Sequence, residues 1–148
     1  MKILISITVF LGFFINLLLQ KIAKEELKPG KKYFKITEKL ILFLLIITIL
    51  IPTQNYLYLI IGTIIGFLLS IFITIYFFSG LPLAISFLYT NNFILIVSTL
   101  TFIYNILPKK FSYKYFLFFI PLILTKFIPT DLLIGISAGS LFNYFIQK

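Results

Sequence analysis

Apolar stretches separated by short polar ones make up most of this chain of 148 residues. The apolar stretches cover approximately residues 3–20, 34–51, 56–78, 82–107, 113–128 and 131–147. A helix of about 20 apolar residues crosses the hydrocarbon layer of a bilayer. The pattern predicts an all-α integral membrane protein, in which a bundle of five to six transmembrane helices forms a single domain over residues 1–148.

The longest polar stretch, residues 21–39, lies between the first two apolar ones and holds most of the lysines and three of the four acidic residues. Pro29 and Gly30 are typical of a helix stop, and a second helix is expected from Lys31. The stretch is therefore predicted to be a basic helical hairpin loop. Because short lysine-rich loops stay in the cytoplasm, we expect this loop to be cytoplasmic and the N-terminus to lie outside.

The first apolar stretch is longer than the core of a secretory signal, and no Ala-x-Ala-like cleavage site follows it. We expect an uncleaved first transmembrane helix. Gly12, Asn16 and Gln20 recur at four-residue steps along it, which predicts that this stripe faces other helices.

Small residues also recur at four-residue steps in the third and last stretches. The predicted packing positions are Gly62, Gly66 and Ser70, continuing to Thr74, and Gly135 and Gly139. Small side chains at this spacing let two helix backbones approach closely. Both stripes are expected to contact each other or a partner chain.

The stretch 82–107 is the least regular. Ser79 to Pro82 predict a break before it, and Asn91 and Asn92 would lie near its centre, where unpaired amides are costly in lipid. We expect a broken or re-entrant helix there.

Two topologies follow from this ambiguity. Six full crossings separate residues 21–39 from Lys109, Lys110 and Lys114, which the positive-inside bias disfavours. A re-entrant segment at 82–107 puts both lysine groups and the C-terminus in the cytoplasm. The rarity of such segments weighs against it, and the two topologies stay open.

Composition supports the membrane class, since 61% of residues are hydrophobic and 11% are charged. The net charge of +9 comes from lysines that flank the apolar stretches, so we expect contact with anionic lipid headgroups and no nucleic-acid binding. The predicted headgroup contacts are Lys21, Lys24, Lys28, Lys31, Lys32, Lys109 and Lys110. The residue usage is typical of an AT-rich genome and predicts a prokaryotic plasma membrane.

Few residues of the chain are of types that catalyse reactions or bind metals and cofactors. The chain has no cysteine and no histidine, and no paired carboxylates, phosphate loop or dinucleotide fingerprint occur within the apolar stretches. We predict no catalytic residue, no metal and no cofactor. Asn91, Asn92, Lys126 and Asp131 are the candidates for a ligand or ion path, although turns, interhelical hydrogen bonds and snorkelling are the favoured explanations for them.

The leading hypothesis is a non-enzymatic multi-pass membrane protein that acts through helix packing, as a homo-oligomer or as a subunit of a membrane complex. The alternative is a small-solute or ion transporter or channel. A lipid-modifying enzyme ranks third, because acid, base and metal-binding groups are missing.

Overall fold

Helices account for most of the chain. The computed structural model describes residues 2–73, 75–107 and 113–147, and for residues 24–28, 113 and 114 it describes the backbone alone. The helices within these ranges are α1 (Lys2–Ile22), α2 (Lys24–Leu50), α3 (Tyr56–Phe72), α4 (Ile75–Ser86), α5 (Asn91–Ile106), a 3₁₀ helix (Tyr113–Phe119), α6 (Ile120–Leu124) and α7 (Thr130–Gln147). The described part of the chain contains no strand, and the predicted all-α class is confirmed.

One set of helix ends is joined by three contacts, and we call it the Asp131 end. The Asp131 carboxylate accepts a hydrogen bond of 3.1 Å from the backbone N–H of Gln54, between α2 and α3. The Lys2 ammonium donates a hydrogen bond of 2.6 Å to the Phe87 carbonyl oxygen, between α4 and α5. In the same turn, burial and then the charge of Asp131 raise the pKa of the Tyr89 phenol above its ordinary value.

The opposite set of helix ends is called the Ala23 end. Ala23 separates α1 from α2, and Ile73 follows α3. The Tyr144 hydroxyl, near the end of α7, donates a hydrogen bond of 2.6 Å to the Ile73 carbonyl oxygen. Successive segments therefore alternate in direction between the two ends, from Lys2 at the Asp131 end to Gln147 at the Ala23 end.

Pro29 and Gly30 do not stop a helix, contrary to the sequence-based expectation. The chain is helical from Lys24 through both residues, and the interruption falls at Ala23 instead. Proline removes one backbone donor, whose acceptor here would be the carbonyl of Glu25 in the first turn. Loss of a single bond so close to the helix start leaves the rest of α2 intact.

The expected break at Ser79 to Pro82 is also absent, because α4 continues through all four residues. Ser79 and Leu81 are buried, and a Cβ added at Gly80 would meet the backbone carbonyl of Phe118 in the 3₁₀ helix. The small and cyclic residues here allow close packing against a neighbouring segment and do not form a turn.

The predicted third span, 56–78, is divided in two. α3 ends at Phe72, and Ile73 has an extended backbone (φ −102°, ψ 143°). The ring of Phe78 in α4 lies 6.2 Å from that of Tyr144, at the Ala23 end. α4 therefore starts where α3 ends and runs back toward the Asp131 end.

α4 and α5 consequently form a hairpin that enters and leaves at the Ala23 end. The interruption within 82–107 falls at residues 87–90, and α5 begins at Asn91. The last apolar stretches contain the 3₁₀ helix, α6 and α7, with Pro121 at the start of α6. α7 lies at the centre, since every residue from Leu133 to Leu141 is buried.

The surface of the bundle is apolar, and α3 illustrates this most clearly. Its buried residues are Gly62, Gly66 and Ser70. Its outward residues include Leu57, Ile60, Ile64, Leu68, Ile71 and Phe72, with Phe72 85% exposed. Soluble proteins rarely expose contiguous apolar surface on this scale.

The length and composition of the helices identify fewer candidate membrane spans than the sequence pattern predicts. Among the described residues one helix, α1, is both long and apolar enough to cross a membrane, and it lies near the N-terminus. Four other apolar helices are shorter, at 10–17 residues. The described part of the chain thus has one candidate span by length and composition together, and the bundle of five to six spans stays a prediction.

Candidate functional site

The residues predicted to line a ligand or ion path lie on the surface at the Asp131 end. Asn91 and Asn92 are exposed in the first turn of α5, and Lys126 is exposed after α6. Asp131 is partly buried and binds the Gln54 backbone N–H. A role of these four residues in a ligand or ion path stays a prediction.

The predicted packing glycines meet each other inside the chain. A Cβ added at Gly66 would meet the Ile136 carbonyl, and a Cβ added at Gly139 would meet that of Thr63. A Cβ added at Gly62 would lie 3.0 Å from the Cα of Gly135. α3 and α7 therefore touch backbone to backbone along parallel axes, as small residues at this spacing allow.

Ser70 continues this contact as a polar group. The Asn143 side-chain amide donates a hydrogen bond of 2.6 Å to the Ser70 hydroxyl, and both residues are buried. Gln147 donates to the Asn143 side-chain oxygen at 3.0 Å. The α3–α7 pair is thus joined by a hydrogen-bonded chain near the Ala23 end.

The lysines predicted to contact headgroups are described in part. Lys21, Lys31 and Lys32 are exposed at the Ala23 end. The side chains of Lys24 and Lys28 lie outside the described residues, as do Lys109 and Lys110 and the packing candidate Thr74.

A buried carboxylate occupies the interior near the Ala23 end. Glu38 of α2 is 8% exposed and interacts with the phenols of Tyr104 in α5 and Tyr76 in α4. The ring of Tyr76 lies 4.4 Å from that of Tyr115, which belongs to the 3₁₀ helix. We call Glu38, Tyr76, Tyr104 and Tyr115 the Glu38 centre.

α1 borders the Glu38 centre through Phe13 and supplies amides beyond it. The Phe13 ring stacks on Tyr115 at 4.4 Å. Asn16, one turn nearer the Ala23 end, is fully buried, and its side-chain oxygen accepts a hydrogen bond of 2.7 Å from Gln20. Five segments of the chain therefore converge around one acidic group.

The chemistry available in this centre is limited to a carboxylate, phenols and amides. Glu38 and the phenol oxygens could coordinate or hydrogen-bond a small cation or a polar solute. No group of three or more His, Cys, Asp or Glu side chains occurs in the described part of the chain.

Glu38 is not among the predicted site residues, because it lies within the polar stretch 21–39. Helical spacing gives a signal that could have found it. Leu42, Leu45 and Ile49 are fully buried on one face of α2, and Glu38 lies one turn before Leu42 on that face. No protein-family model, curated protein or solved structure matches this chain.

Proposed function

We propose that this chain is a multi-pass integral membrane protein whose segments cross the bilayer together as one bundle. The observation that carries the proposal is the inverted packing of α3, which buries glycines and serine and turns large apolar side chains outward. In water this surface would be strongly unfavourable, at about 25 cal/mol for each Å² left exposed. In lipid it has no such cost.

The length of α3 is compatible with a thin hydrocarbon layer. α3 has 17 residues and rises about 25 Å, against about 30 Å for a typical bilayer. Mismatch of a few ångströms costs fractions of a kcal/mol per ångström and is met by local thinning. Counting the 3₁₀ helix and α6 as one segment, the proposal has seven crossings.

The Ala23 end is proposed to face the cytoplasm of a prokaryotic cell. Residues 21–39 supply its exposed lysines, and α5 ends at Ile106, three residues before Lys109 in the sequence. The positive-inside bias then favours the Asp131 end outside, with Lys2 and Lys126. Exposed lysines such as Lys31 and Lys32 would contact anionic headgroups of the inner leaflet.

Reporter fusions active in one compartment test this arrangement. Fusions after Gly30, Lys110 and Lys148 should report the cytoplasm, and fusions after Thr53 and Thr90 should report the outside. Six crossings would instead put Lys148 outside. An external signal after Gly30 would overturn the orientation, and recovery of the untagged protein without detergent would overturn the membrane proposal.

Within that arrangement, a role in small-solute or ion binding is favoured over assembly through the glycine stripes. Gly66 and Gly139 face positions within the same chain, so they leave no free small-residue surface for a partner. Glu38, by contrast, is a buried ionisable group in an apolar bundle, and such groups mark ion and substrate paths in membrane proteins.

Glu38→Gln tests this role, because it keeps the shape and removes the charge. Purified protein in liposomes should lose uptake of a radiolabelled cation such as Rb⁺ or Na⁺, with its melting temperature kept within a few degrees. Thr37→Ser, next to Glu38 but exposed, is the matched control. Unchanged uptake in Glu38→Gln would reject the ion path and favour a role as a membrane subunit.

A further inference from the structure

Two grooves run along the sides of α5, where it packs against α1 on one side and α2 on the other. The α1–α5 groove, of about 200 Å³, is lined by Ile5, Thr8, Val9, Ser98, Thr99 and Phe102. The α2–α5 groove, of about 500 Å³, is lined by Leu44, Thr48, Leu95, Ile96, Thr99 and Leu100. Thr99 lines both, so the grooves adjoin at this residue of α5.

The hydroxyl groups in these grooves are already used within their own helices. Thr99 and Ser98 donate to the Leu95 carbonyl at 2.8 and 3.0 Å. Thr48 donates to Leu44 at 2.7 Å in the second groove. A hydroxyl has one hydrogen to donate, so these side chains offer an occupant mainly their carbon atoms. The lining suits a hydrocarbon chain.

A positive charge lies on α1 one turn before the first residue that lines the α1–α5 groove. Lys2 is exposed on α1, on the same face as Ile5 and Val9, at the Asp131 end. Its ammonium group has three donors and gives one to the Phe87 carbonyl oxygen. The remaining donors are available to an anionic group at the level where the grooves begin.

We propose that the two grooves hold the two acyl chains of one anionic phospholipid, which straddles α5 with its phosphate against Lys2. The geometry fits a diacyl lipid because two apolar grooves meet at Thr99 of one helix, and the cationic Lys2 lies on the same face of α1 as Ile5 and Val9, which line one of them. The site rests on the proposed membrane location, and with the Asp131 end outside the lipid belongs to the outer leaflet. Such a lipid would fill the gap that α1 and α2 leave on the outer face of α5.

Native mass spectrometry of the detergent-purified full chain tests the site, with dioleoyl phosphatidylglycerol as the added probe and dioleoyl phosphatidylcholine as the neutral comparison. Wild type should bind one phosphatidylglycerol more tightly than phosphatidylcholine. Thr99→Phe, which fills both grooves, should weaken binding about tenfold, as expected when about two methylene groups lose contact. Ile64→Phe, on the exposed face of α3, is the matched control and should bind like wild type.

Lys2→Gln tests the binding of the headgroup apart from the binding of the acyl chains, because glutamine lacks the charge but can still donate to the Phe87 carbonyl. It should lose the preference for phosphatidylglycerol, by about fivefold, and keep the affinity for phosphatidylcholine. Equal lipid binding by wild type, Thr99→Phe and Lys2→Gln in protein extracted from membranes would overturn the lipid site while leaving the membrane location intact. A lipid-free dimer that Thr99→Phe converts to monomer would also overturn it, in favour of a second copy in the grooves.

Discussion

Two parallel helix pairs in this molecule contain glycine at their contact, and they differ in how close the backbones come. In the α3–α7 pair, glycine faces backbone, and a Cβ at Gly66 would lie 2.7 Å from the Cα of Ile136. In the α1–α5 pair, a Cβ at Gly12 would lie 3.0 Å from the Phe102 carbonyl oxygen and 3.1 Å from the Cβ of Asn105. The first pair has no room for a methyl group, while the second has nearly enough.

Their polar contacts differ in the same way. Asn143 joins the Ser70 and Gln147 side chains, so both ends of its amide are used. Asn105 donates to the Val9 carbonyl at 3.2 Å, and its own side-chain oxygen has no hydrogen-bond partner among the described residues. The α3–α7 pair is the tightly determined part of the fold. The α1–α5 pair is looser and borders the α1–α5 groove.

The largest expected effect is that of Gly66→Leu or Gly139→Leu. Each puts a branched side chain into the backbone of the partner helix, which overpacking data suggest will cost about 3 kcal/mol or more. Equilibrium unfolding in mixed micelles would measure the loss. Ile64→Leu, on the exposed face of α3, is the control. Melting of both glycine variants at the wild-type temperature would contradict the close α3–α7 contact.

Alanine gives a sharper comparison between the two pairs. Gly66→Ala should destabilise by about 2 kcal/mol, because backbone atoms must separate to admit the methyl group. Gly12→Ala should change stability by less than about 1 kcal/mol, since a gain of about that size in helix propensity offsets the tighter contact. Unfolding of the two variants under one condition checks the difference. Equal effects would show that the pairs are equally tight.

A third comparison replaces each buried asparagine by leucine. Asn143→Leu removes the hydrogen bond that Ser70 accepts and the one that Gln147 donates, and should cost about 1–2 kcal/mol. Asn105→Leu removes one long hydrogen bond and one unpaired oxygen, so its cost should stay below about 1 kcal/mol. A Ser70→Ala and Asn143→Ala double-mutant cycle measures the coupling directly, and zero coupling would remove Asn143 from the α3–α7 contact.

The smallest effect is expected at the Asp131 end of the α3–α7 pair. Asp131→Asn keeps an acceptor for the Gln54 N–H and removes the charge, so the cost should be under about 1 kcal/mol. Lys126→Gln, at an exposed side chain nearby, should be neutral within about 0.5 kcal/mol. Melting temperatures of the two variants and wild type in the same detergent test this order. A larger decrease in melting temperature in Lys126→Gln than in Asp131→Asn would indicate that Lys126 has a role in binding.

The amino-acid sequence by itself determined the all-helical class. In lipid, the backbone of a long apolar segment has no water with which to form hydrogen bonds. Such a segment therefore favours a helix, in which the backbone groups bond to each other locally. The small-residue steps at Gly62 and Gly135 could also be found from sequence, because helical spacing alone puts residues four apart on one face. These features depend on neighbours within a turn or two.

Only the tertiary structure decided where the chain reverses. Residues 71–75 contain no charged residue, proline or glycine to mark the reversal, and the Ile73 carbonyl oxygen accepts a hydrogen bond from Tyr144, at the far end of the chain. Pro29 and Pro82 are strong local signals for the end of a helix, yet α2 and α4 continue through them. Glu38 was grouped with solvent-exposed lysines by composition, but α5 covers it with Tyr104. Helix formation is local and follows from sequence, whereas reversals and buried charges depend on contacts between residues distant in the chain.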